Sequence, residues 1–295
     1  MRRLRVALAL AVAFAATACG GDTKPPESQS GLAANGLPPK RATPPPNTLT
    51  EATPTPARFD AASFHTTTDA NVDAFLTADP VLATHLGDHR FDSRWPDTTK
   101  AGEEKVAADF RARAQMLRAL AAKVPQEAVA AEAGTDRPAL DAELLADELE
   151  NHAFIATDLH VAERHPSHVL SLIGSGITSL TSHAFAPKRT RMDALATRLE
   201  GVPGLLATAR SRLVKPEKSS LELLPVIAGG LVMTLRTDLA KTDPTSIDRD
   251  TKLAERLAKA ALAAATAIDA YVADVTKTFP VASAKDEPIG TASWS

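Results

Sequence analysis

The sequence predicts an all-α fold: an irregular multi-helix array that follows a signal peptide and a disordered, Pro-rich linker. Three observations carry this. Apolar residues recur at helical spacing through almost all of the chain after residue 58. No segment alternates apolar and polar residues as a half-buried strand does. No sequence repeat of fixed period runs along the chain, which excludes a regular solenoid.

The N-terminus reads as a targeting signal. Arg2, Arg3 and Arg5 precede an apolar run from Leu4 to Ala18 that is short for a bilayer span and gives way to polar residues, so residues 1–18 are predicted as a cleavable signal peptide. The run ends Ala16-Thr17-Ala18-Cys19, which resembles a bacterial lipobox although Ala16 stands where a larger aliphatic residue is usual. Cys19 is the only cysteine, and a lone thiol makes no internal disulfide. The favoured reading is a lipidated (palmitate-bearing) Cys19 as the mature N-terminus; the alternative is an ordinary signal peptide with an incidental cysteine. Residues 19–58 follow as a tether: nine of the 21 prolines fall there among Gly, Ser, Thr and Asn, and such a segment buries too little surface to offset its ordering entropy.

Residues 59–295 are long enough for one large helical domain. Val72, Phe75 and Leu76 begin a first helix. A second carries the stripe Val106, Phe110, Leu117, Leu120 and Val124. A third carries Leu140, Leu144, Leu145, Leu149, Ile155 and Leu159, with Asp141, Glu143, Asp147, Glu148 and Glu150 on its outer face. Ser167 suits the N-cap of Val169–Leu180. Met192, Leu195 and Leu199 form a short helix that Gly201-Val202-Pro203 joins to the next, because proline suits a first turn. Ser219–Lys241 is densely apolar and is predicted central, kinked or loosened at Pro225 and Gly229-Gly230. Leu253, Leu257, Ala261, Ala264, Ile268, Tyr271, Val275 and Phe279 mark a long last helix over Asp250–Phe279. The net charge of −3 and the lack of a basic patch leave nucleic-acid binding unsupported, and no segment after the signal is predicted to cross a membrane.

The candidate chemistry concentrates in Asp79–Asp97, where His85, Asp88, His89, Asp92 and Arg94 form a polar cluster. His85 and His89 have the spacing of a zinc pair on a helix, but Gly87 breaks the helix between them and no Glu follows His85. The segment is expected to turn a structural corner or to line a cleft, with Asp88 and Asp92 capping a helix end or holding Arg90 and Arg94. His165 and His168 flank Pro166 at a helix junction and suit capping or surface roles. His152 and His160 read as solvated or inter-helix polar residues. Gly174-Ser175-Gly176 lacks the spacing and the strand context of a nucleophile elbow. No residue of this chain is assigned as catalytic or as a metal ligand.

Several segments in order carry a family resemblance. They are Pro80, Ala83-Thr84, Gly87, His89, Phe91-Asp92 and Pro96-Asp97; then His183-Ala184-Phe185-Ala186-Pro187 with Arg191 and Met192; then Arg198-Leu199-Glu200-Gly201-Val202-Pro203; then Ala209 to Leu213. Together they resemble the N-terminal half of the bacterial domain of unknown function family 885. The resemblance implies long, helical, often lipid-anchored proteins whose second half holds a His-Glu-x-x-Pro-Gly-His motif like that of a zinc metallopeptidase. This chain has no His-Glu pair, so no zinc ligand is carried over, and zinc is expected only in complete members. The resulting expectation is a truncated or split envelope lipoprotein, inactive alone. It would be membrane-bound through Cys19, would face the periplasm or exterior, and would partner the absent half or, in a complete protein, a peptide. The alternative is a complete helical envelope lipoprotein that binds a ligand or a protein partner.

Overall fold

A computed structural model of the chain describes residues 61–124 and 137–285; the signal peptide, Cys19 and the tether lie outside the described residues. Those residues are helical and contain no strand. In order the helices are α1 (Ala61–Ala78), α2 (Pro80–His85), α3 (Lys100–Ala121), α4 (Pro138–Thr157), α5 (Val161–Arg164), α6 (His168–Thr181), α7 (Lys188–Arg212), α8 (Lys218–Thr234) and α9 (Thr251–Thr278), with short 3-10 turns between some of them.

The helices enclose two apolar clusters. The first lies among α1 to α4, around Phe64, Phe75, Phe110, Leu117, Leu145 and Leu149. The second lies among α6 to α9, around Ile173, Leu180, Leu195, Leu199, Leu224, Leu257 and Ile268. α3 and α4 pack closely and run antiparallel, because Arg111 pairs with Asp158 while Arg118 pairs with Asp147 (2.8 Å) and Glu150. α7 and α9 run parallel, because Arg189 pairs with Asp250 (2.8 Å), Arg256 with Glu200 (2.7 Å) and Arg210 with Asp274. These ion pairs are exposed, so each adds little stability and mainly selects register.

Several elements depart from the sequence expectation. α1 starts at Ala61, well before Val72. Its first half is Thr-rich, yet Phe64 is buried there and Thr67 and Thr68 bond the carbonyls four residues back, so packing outweighs weak propensity. On α4 the buried face is Ala142, Leu145, Ala146, Leu149 and Ala153, whereas Leu140, Leu144 and Ile155 are exposed. Small residues let α3 approach closely, and that places the bulkier leucines on the flank. Ser167 precedes α6, but its hydroxyl makes no cap bond and instead meets Ser220 Oγ at 2.9 Å.

Pro203 does not separate two helices; α7 is continuous through it. The proline forfeits one backbone bond, which costs about 3 kcal/mol inside a helix. Leu195, Leu199, Val202, Leu205 and Leu206 are buried on both sides of it. At about 1.5–3 kcal/mol each, their burial outweighs that loss.

α8 is not central. Leu221, Leu224, Ala228 and Val232 face the second cluster, but Leu223, Val226 and Met233 point to solvent. The helix runs unbroken through Pro225 and Gly229-Gly230, and its geometry changes only afterwards, as a π turn over Leu235–Leu239. Contrary to the sequence reading, Lys218–Leu239 is long and apolar enough to cross a membrane, and 33% of its apolar window is buried against the protein.

Candidate functional site

The Asp79–Asp97 corner is built from caps. Asp79 Oδ1 accepts from the amides of Val81 (3.1 Å) and Leu82 (2.9 Å) and starts α2. Gly87 then turns the chain at φ 89°, a left-handed conformation that side chains disfavour. Asp88 accepts from the Arg90 amide (3.2 Å) and side-chain Nε (2.9 Å), and Arg90 also reaches Asp73 (2.5 Å). Asp92 holds neither Arg90 nor Arg94; it accepts from the Thr84 hydroxyl (2.8 Å) and meets His89 Nδ1 at 3.2 Å. The His89 ring stacks on Phe185 with centroids 3.6 Å apart. Arg94 lies over Phe91.

His85 and His89 do not converge. The His85 ring is bonded to the backbone of Ser175, whereas His89 meets Asp92 and Phe185, and burial lowers the His85 pKa against that bond. Among the described residues no group of three or more His, Cys, Asp or Glu is placed to hold a metal ion.

What the corner holds is Arg198. Its side chain is fully buried in α7. Nη1 donates to the Gly176 carbonyl (3.0 Å) and Ser179 Oγ (2.9 Å). Nη2 donates to the Pro80 carbonyl (3.2 Å) and Thr84 Oγ1 (2.8 Å), and Nε donates to the Arg94 carbonyl (3.2 Å). Burial pulls this guanidinium down to about 10, opposed by Asp92 and Asp79, so at neutral pH it is charged. Thr84 accepts from Arg198 and donates to Asp92, so one hydroxyl relays the cation to a carboxylate.

Trp95 completes the joint. Its indole N–H donates to the Arg198 carbonyl (2.8 Å), and its ring lies over the guanidinium and packs on the second cluster. The corner, α6 and α7 are thus stitched together by one arginine and one tryptophan. Sequence reasoning missed this role of Arg198. The available signal is that Arg191 and Arg198, seven apart, share the apolar stripe of α7 and are both buried.

Beside the corner lies a cleft of about 330 Å³ between α3, α4 and α6. Val106, Phe110, Ala153, Ile155, Val161 and Leu172 give it apolar walls. Asp79, Asp97, Thr98, Glu103, His152 and His168 give it polar edges. It adjoins a chamber of about 20 Å³ bounded by Arg212, His165 and Tyr271. Arg212 Nη1 reaches the Thr98 carbonyl and Glu103 Oε1, both at 2.7 Å. His168 is solvent-accessible yet enclosed by cleft walls, and desolvation keeps it below the usual imidazole value despite Glu103. His152 approaches Glu148 (3.5 Å) and meets Phe75 edge-on. The sequence reading placed His168 at a surface or cap; it is exposed at the start of α6 and also lines the cleft.

Hydrogen bonds hold several carboxylates below their ordinary range: Asp88 through Arg90, Asp97 through Thr99, Glu148 through His152 and Glu163 through Lys100. Each folded-state pKa is depressed, so its contribution is present above the unfolded value and is lost as pH falls through the folded one. The melting temperature is therefore expected to hold from about pH 7 to 5 and to fall below about pH 4. A thermal-melt series checks this, and Asp88→Asn should flatten the acid limb; a limb unchanged in that variant would remove Asp88 from the account.

A family model described as bacterial protein of unknown function (DUF885) matches residues 80–295. The chain belongs to this family. The match starts at Pro80, inside the corner, and includes both residues of the Arg198–Trp95 joint. Among solved structures, the chain is similar to one from Shewanella oneidensis described as a "putative lipoprotein of unknown function", at 21% identity and a TM-score of 0.51. The similarity covers 74% of this chain and 39% of that one, so the chain spans about two-fifths of the length of its neighbour. At that identity the likeness concerns the fold. A comparison with curated proteins gives no match. The DUF885 segments that lie far apart in sequence meet in space. The corner around His89 stacks on Phe185 of the His183–Pro187 segment, and Arg198 of the Arg198–Pro203 segment binds the corner backbone.

Proposed function

We propose that this chain is a lipid-anchored helical part of the bacterial cell envelope, the non-catalytic N-terminal half of a longer DUF885 protein whose second half supplies a zinc-peptidase-like centre. The observation that carries this reading is the outer face of α8. Leu223, Val226 and Met233 are 55%, 72% and 63% exposed on one side of a helix whose other side is core. Gly229 and Gly230 on that side have open space where a Cβ would be. A contiguous apolar helix face with small residues is suited to close approach by another helix. The larger part of the Shewanella neighbour lies outside the match, which supports a covering element from a longer protein. The anchor is Cys19, exported behind the signal peptide and held to the domain by the tether.

In this role the half builds one wall of a shared cleft and performs no hydrolysis. The purified chain is expected to bind an apolar dye and to self-associate, and Leu223→Glu with Val226→Lys should suppress both while leaving the melting temperature within a few degrees. A wild-type chain that is monomeric and dye-silent would contradict the missing-half reading. Stoichiometric zinc by elemental analysis, together with peptidase activity, would overturn the non-catalytic assignment. Mass spectrometry of the membrane-extracted protein should find a diacylated N-terminal Cys19; a processed N-terminus without lipid would remove the anchor.

A further inference from the structure

We propose that the cleft between α3, α4 and α6 is a binding site for a compact apolar ligand carrying one uncharged oxygen acceptor, which takes the hydrogen bond of Arg212 Nε. The Arg212 side chain is only 9% exposed, and its Nε has no hydrogen-bond partner. Buried donors are almost always paired, so an orphaned one beside a cavity points to a missing acceptor. The two ends of this guanidinium differ. Nη1 is held by the Thr98 carbonyl and by Glu103, which already neutralises the charge. Of its buried nitrogens Nε alone is unmet, and a single N–H calls for a lone pair rather than an anion.

The surroundings agree with a neutral acceptor. The cleft and the smaller chamber share Thr98, Glu103, Ala162, His168 and Leu172, so an oxygen in the chamber leaves the body of the molecule in the cleft. Phe110, Ile155, Val161 and Leu172 offer that body apolar walls. Asp79 and Asp97 edge the cleft with negative charge, the Arg212 cation is already paired with Glu103, and desolvation favours neutral His168, so a carboxylate ligand would meet repulsion without an unpaired cation to offset it. Medium-chain ketones and amides have the required form. The chamber by itself has room for one water, which is the competing account of the orphaned Nε. The site stands whether or not a second half joins the chain.

The test uses the purified chain titrated with octan-2-one and, separately, with octane and octanoate, read by NMR shifts of the His168 and His152 imidazoles. The ketone should shift His168, and octanoate should bind about tenfold more weakly or less. Ala156→Phe, which fills the cleft, should weaken ketone binding about tenfold with an unchanged melting temperature. Arg212→Met should remove the preference for the ketone over octane. If the Arg212 variant does not fold, the Ala156 variant still decides the question. Absence of any ketone-dependent shift, octanoate binding as tight as the ketone, or full binding by Ala156→Phe would each overturn the site and leave the chamber to a water.

Discussion

Arg198→Ala is expected to be among the most destabilising single changes in the described residues, by about 3–5 kcal/mol. Two effects combine. Truncation leaves a cavity under the corner, because the side chain is fully buried. It also strips donors from the carbonyls of Gly176, Pro80 and Arg94 and from the hydroxyls of Ser179 and Thr84. The first two carbonyls lie within or beside helical turns and retain other partners; the Arg94 carbonyl lies in a loop and suffers more. Arg198→Met keeps most of the stem volume, so the difference between the two variants reads the cavity part. Arg198→Lys keeps the charge but cannot span five acceptors with one nitrogen, and should still lose more than about 1 kcal/mol. Urea midpoints at constant slope measure all three. A loss below about 1 kcal/mol for Arg198→Ala would remove the arginine from its place as the joint between the clusters.

Gly176→Ala sets two physical effects against each other. Propensity alone favours alanine within α6 by about 1 kcal/mol. A Cβ at Gly176, however, would lie 2.4 Å from Trp95 Cη2 and 2.5 Å from Cζ3. The indole cannot step aside freely, because its N–H is bonded to the Arg198 carbonyl and Gly201 presses on its other edge, where a Cβ would lie 3.1 Å from Cδ1. Overpacking of this kind costs about 1–3 kcal/mol, so the substitution should be net destabilising. Trp95→Ala should lose about 3–5 kcal/mol. With Trp294 replaced by Phe, Trp95 is the sole indole, and its emission should shift to the red in Gly176→Ala as the ring leaves its slot. A stabilised Gly176→Ala protein with unchanged emission would show that helix propensity, not the close approach, governs this position.

Much of the array was legible because helical periodicity is a local property. The last helix was expected over Asp250–Phe279 and runs Thr251–Thr278 with Asp250 as its cap. The corner at Gly87 was legible for the same reason: a glycine followed by an aspartate, Gly87-Asp88, marks a break in the pattern. The burial of each face was not. Leu144 and Leu223 are as apolar as Leu145 and Leu224, and nothing in their own sequence neighbourhoods tells which of each pair meets a neighbour. Pro203 misled because a proline's local cost is visible in sequence, whereas the burial that offsets it is not.

The sequence by itself determined the helical class, the family, the helix-breaking corner and the export expectation, since each rests on residue identity and near-neighbour spacing. Only the tertiary structure decided that Arg198 faces inward and joins the corner to α6 and α7, that α8 leaves an apolar face uncovered, and that Glu103, His168 and Arg212 gather around the chamber beside the cleft. Arg198 and Pro80 are 118 residues apart, and Arg212 and Thr98 are 114 apart. Contacts at such separations are set by how whole helices pack, where burial of many side chains outweighs the preference of any one, so no local pattern records them.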